Sequence, residues 1–98
     1  MIIELFKNEK RLIPMAVIRR KKEDFKIDSV NCRVLDKDGN VLETGIGEIN
    51  NIHKEVYYFL DTTRDYFMNR KNYIVRFSVS IVGLPKVIKG EREIKIKK

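Results

Sequence analysis

Ninety-eight residues, 43% hydrophobic and 36% charged, suffice for one domain with a modest core, and no Ser-, Gly- or Pro-rich stretch divides the chain. The formal net charge of +7 is uneven: residues 1–50 hold ten Lys/Arg against nine Asp/Glu, and residues 51–98 hold eleven against five, a balance suited to a solvated basic surface or to an anionic partner. A single cysteine, Cys32, excludes an intrachain disulfide, and no apolar run reaches the length of a signal core or membrane span, so a protein of a reducing cytoplasm, or of a particle assembled there, without membrane contact is expected.

Leu12 to Ile18 is apolar enough for a strand, and Pro14, with no N–H to give a central ladder, assigns it to an edge or a bulge. Arg19-Arg20-Lys21-Lys22-Glu23-Asp24 then reads as a solvated connection. Val30, Cys32 and Val34 alternate with Asn31 and Arg33, the period of a half-buried strand. That strand ends at Asp36-Lys37-Asp38-Gly39-Asn40, where Gly39 tolerates a positive φ and the Asp and Asn side chains bond locally, and Val41 to Thr44 returns as a short strand. Lys54 to Leu60 is rich in β-branched and aromatic residues and predicts another.

Asp61-Thr62-Thr63-Arg64-Asp65 offers capping side chains ahead of Tyr66-Phe67-Met68, with room for one short helical turn near 62–68. Tyr73 to Val82 alternates over its whole length, with Tyr73, Val75, Phe77, Val79 and Ile81 on one face. Gly83-Leu84-Pro85 interrupts it, and Glu91 to Lys97 resumes with Ile94 and Ile96 inward, so the last two strands form a hairpin with a long loop. The predicted class is an all-β antiparallel sandwich or small barrel of six or seven strands, one domain over residues 1–98 with its core in about 12–97. Val30, Cys32, Val34, Tyr58, Val75, Phe77, Val79, Ile94 and Ile96 are its expected core.

Two stretches carry a family resemblance. Val30 to Gly39 resembles a strand ending in an Asp-x-x-Gly turn, and Asn72-Tyr73-Ile74-Val75-Arg76-Phe77 resembles a penultimate strand opening with a tyrosine corner. Together they resemble the immunoglobulin-like β-sandwich of bacterial and phage proteins, without the cysteine pair and core tryptophan of antibody domains. The resemblance implies that Tyr73 ties its strand to the backbone upstream, and that the domain is a structural or adaptor part of a virion or its assembly.

No catalytic site is legible. His53 has no local Cys, Asp or second His at metal-ligand spacing, and Cys32 shares the alternating face of Val30 and Val34, as a small buried hydrophobe does. Asp36 to Asn40 begins like a calcium loop but has its glycine fourth instead of sixth and Gly47 where the closing glutamate belongs. Asp61 and Asp65 have no evident pocket, and Gly45-Ile46-Gly47 lacks the lysine of a phosphate loop. No metal or cofactor is expected, and no enzyme.

Two surfaces stand out instead. Arg76, Ser78 and Ser80 are expected beside Lys95 and Lys97 on one sheet face, which could contact phosphates. Tyr57 and Phe59 cannot share a core with Tyr58, so they face outward, open to a partner or covered by Tyr66 and Phe67. The expected function is a non-enzymatic structural or adaptor module that binds another protein or itself, with Tyr57, Phe59, Tyr66 and Phe67 as interface candidates. The alternative is a nucleic-acid-binding domain using Arg76, Lys95 and Lys97.

Overall fold

Strict alternation along the chain produces strands, and the computed structural model, which describes residues 2–18 and 24–97, contains eight of them and no helix among those residues. They are β1 (Ile2–Phe6), β2 (Lys10–Ala16), β3 (Ile27–Asp36), β4 (Val41–Ile46), β5 (Glu48–Asn50), β6 (Glu55–Asp61), β7 (Asn72–Ile81) and β8 (Val87–Lys97). One sheet has the order β1-β8-β7-β3-β4, the other β2-β6-β5. All neighbours are antiparallel except β1, which runs parallel to β8. Residues 19–23 of the expected charged connection lie outside the described residues.

The core is the set of inward side chains that alternation selects. Val30, Cys32, Val34, Tyr58, Val75, Phe77, Val79, Ile94 and Ile96 are all buried, together with Ile13, Met15, Val56 and Leu60 from the smaller sheet. Burying such side chains contributes roughly 1.5–3 kcal/mol each against the entropy of ordering the chain. Pro14 lies in β2, the edge strand its missing N–H requires, and Gly39 has the positive φ of the expected β3–β4 turn. Asp36 carries that turn, accepting hydrogen bonds from the Asp38 and Asn40 backbone N–H groups at 2.9 Å each.

Three expectations are corrected. The strands among the described residues number eight, because Ile2-Ile3-Glu4-Leu5-Phe6 of β1 does not alternate and β5 has only three residues. The packed region starts before residue 12, since Leu5 on β1 is buried in the core. Residues 62–68 form turns and no helical turn: the Asp61 carboxylate binds Thr63 N–H and Oγ1, while Thr62 is pulled inward to the β1–β2 turn.

The crossing from β4 in the larger sheet to β5 in the smaller one is made by a single residue. Gly47 alone joins β4 to β5, and its N–H donates to Val30 O at 3.0 Å. A Cβ there would lie 2.7 Å from Tyr57 O and from Val30 Cγ1, so the crossing requires glycine. Asn51 spans the sheets with its side chain: Oδ1 accepts from Ile27 N–H at 2.7 Å, and Nδ2 donates to Ile27 O at 3.2 Å.

Candidate protein-binding face

The β2–β6 register fixes what the smaller sheet shows to solvent. Ile13 faces Tyr58 on the inner side, so the neighbouring pairs Leu12–Phe59 and Pro14–Tyr57 face outward. Phe59 is 54% exposed and Leu12 44%, with Tyr57 half-buried between Pro14 on β2 and Glu48 on β5. Partial desolvation, and then the neighbouring Glu55 carboxylate, push the Tyr57 phenol above its ordinary pKa. Around the apolar centre stand Glu48, Glu55 and Asp61, with Lys10 as the basic member.

Tyr66 and Phe67 do not cover this face. Phe67 is 1% exposed, with its ring 5.1 Å from Tyr73 edge-on and 4.8 Å from Tyr66, so it is a core residue and not an interface candidate. Tyr66 is half-buried at the rim of the core. Tyr73 Oη donates to Tyr66 O at 3.0 Å and accepts from Met68 N–H at 2.7 Å, which ties the entry of β7 to the segment upstream. Leu12 and Pro14 are the members of the face that reading the sequence missed, although the parity of Leu12, Pro14 and Ala16 against Ile13, Met15 and Val17 marks them as outward.

The basic candidates share one sheet face but do not form a patch. Antiparallel pairing sets Arg76 opposite Glu91 and Lys95 opposite Asn72, so Arg76 and Lys95 are four residues apart along the strand, roughly 13 Å at about 3.3 Å per residue. Ser78 and Ser80 stand opposite Lys89 and Val87, away from Lys95 and Lys97. Arg76 Nε binds Glu91 Oε2 at 2.7 Å, and Lys97 Nζ binds Glu4 Oε2 at 2.8 Å. The hydrogen bond from Lys97, reinforced by its charge, holds the Glu4 carboxyl below its ordinary value.

One polar group inside the rim was invisible in the sequence. Glu43 points inward from edge strand β4, 11% exposed, with Oε2 3.5 Å from Arg64 Nε and Oε1 accepting no hydrogen bond from the described residues. Burial first, and then this carboxylate, raises the pKa of the Tyr58 phenol, so Tyr58 stays protonated and makes a poor proton carrier near neutrality. An inward charge on a sheet edge disfavours pairing with a further strand.

Cys32 is buried, and desolvation pushes its thiol up to about 11, far from a reactive thiolate. His53 is exposed in the β5–β6 turn, and its backbone N–H donates to Asn50 Oδ1. Among the described residues no group of three or more His, Cys, Asp or Glu could hold a metal ion, and no helix is long and apolar enough to cross a membrane. Comparison with known proteins found no matching family model, no matching curated protein and no matching solved structure.

Proposed function

We propose that this domain is a non-enzymatic structural or adaptor module that binds protein through the outer face of its three-stranded sheet. The carrying observation is the contiguous outward group Leu12, Pro14, Tyr57 and Phe59, with more than half of Phe59 in water. Exposed aromatic area ringed by polar side chains is how the centre of a protein interface is built. An immunoglobulin-like arrangement is part of the proposal: β3, β7 and β8 adjoin as the third, penultimate and last strands of such domains do, and Tyr73 makes corner bonds upstream. A place in a phage or prophage virion, or in its assembly, rests on that resemblance alone.

The nucleic-acid reading has less support, because Arg76 and Lys97 are occupied by Glu91 and Glu4. A photo-crosslinking amino acid at position 59, activated in the cells that make the protein, tests the proposal. A discrete protein adduct is expected. Its absence, or an adduct to nucleic acid, would sink the reading.

A further inference from the structure

The two outward faces of the sandwich differ in charge. The smaller sheet shows Glu48, Glu55 and Asp61 against Lys10, an acidic surface on a chain of net charge +7. The larger sheet shows Arg33, Arg76, Lys89, Lys95 and Lys97 against Glu4, Asp28, Glu91 and Glu93, a small basic excess. Arg33 lies directly opposite Arg76, and since Arg76 takes Glu91, Arg33 has no carboxylate partner among the described residues. Like charges in such a cross-strand pair disfavour the sheet unless an anion sits over them. Beside Arg33 is a shallow depression of about 480 Å³ between Asn31, Thr44, Ile46 and Ser78, and Ile46 on its rim is 85% exposed.

We propose that the acidic aromatic face of one copy docks on the basic face of a second copy, with Phe59 and Tyr57 against the depression and Glu48 and Glu55 against Arg33 and its neighbours. This rests on the protein-binding reading above and names the partner as the chain itself. The two surfaces are different, so the contact is head-to-tail and propagates into a ring or filament and not a closed pair. With seven residues in β2 and in β6 and three in β5, the smaller-sheet face measures at most roughly 23 by 14 Å, well below the roughly 800 Å² per partner of standard interfaces. The association is therefore weak between free copies, dependent on concentration and screened by salt.

The test is solution mass across concentration at low and high salt for the wild type, for Glu48→Lys with Glu55→Lys, for Arg33→Glu with Lys89→Glu, and for a mixture of the two variants. Arg33→Glu places a carboxylate opposite Arg76, so the fold should tolerate it. The expected result is wild-type mass that rises past two copies and falls with salt, two monomeric variants, and recovery of large species in the mixture, where each reversed face meets its complement. A wild type monomeric to about 1 mM, a mixture that stays monomeric, or assembly unchanged by either variant overturns the inference. A monomeric wild type whose position-59 adduct is a different protein overturns it while leaving the protein-binding reading intact; no protein adduct overturns both.

Discussion

Cys32 shows how burial decides chemistry at the level of a residue. With its thiol pushed up to about 11, it should resist a disulfide reagent near neutral pH and react at once when the chain is unfolded, because only the thiolate attacks. Rapid reaction of the folded protein would show that the inner face opens. Asp36 is governed by hydrogen bonds instead: Asn40 and then the other N–H groups of the turn lower its pKa below the ordinary 3.8. A depressed carboxylate adds stability that is complete above its unfolded pKa and is lost as pH falls through the folded one. Asp36→Asn should therefore destabilise the protein above about pH 4 and converge with the wild type in stronger acid, as read from thermal melts across that range. A constant difference down to the lowest pH would place the cause elsewhere.

Among the elements, the β1–β2 corner is held by a single side chain from just past the end of β6. Thr62 is fully buried: its hydroxyl accepts from Glu9 N–H at 2.7 Å and shares its one proton between Phe6 O and Glu9 O, both at 2.8 Å. Thr62→Val keeps the shape and removes those bonds, so it should cost about 1–3 kcal/mol in denaturant unfolding; a neutral result would mean that water replaces the hydroxyl. Neither this corner nor Gly47 was legible in the sequence, since both depend on partners more than fifteen residues away. What was legible is what alternation alone determines, namely the inward faces of β3, β6, β7 and the end of β8, and the outward Tyr57 and Phe59. Register was not legible. It separated Arg76 from Lys95, and it placed Leu12 and Pro14 beside the two aromatics.

Taken as a whole, the molecule keeps its aromatic face outside its core. Tyr57→Ser with Phe59→Ser should cost no more than about 2 kcal/mol of stability, the size of two lost cross-strand pairs, while abolishing the assembly and any position-specific capture. A loss of several kcal/mol in thermal or denaturant unfolding would show instead that the rings support the fold. The parallel pairing of β1 with β8 has a mechanical meaning. Ile2 lies beside Glu93 and Phe6 beside Lys97, so the start of one strand and the end of the other sit at opposite ends of a shared ladder. Tension applied through residues 2 and 97 drags the strands past each other and strains every bond of that ladder together. Tension through Asn72 and Lys97, at the same end of the β7–β8 hairpin, peels its bonds one after another. Forced unfolding follows the unfolding rate, so single-molecule pulling should show a clearly higher rupture force for the first pair of anchor points than for the second, and equal forces would refute the shear geometry. A domain that bears load through residues 2 and 97 would carry it along the more resistant of these two axes.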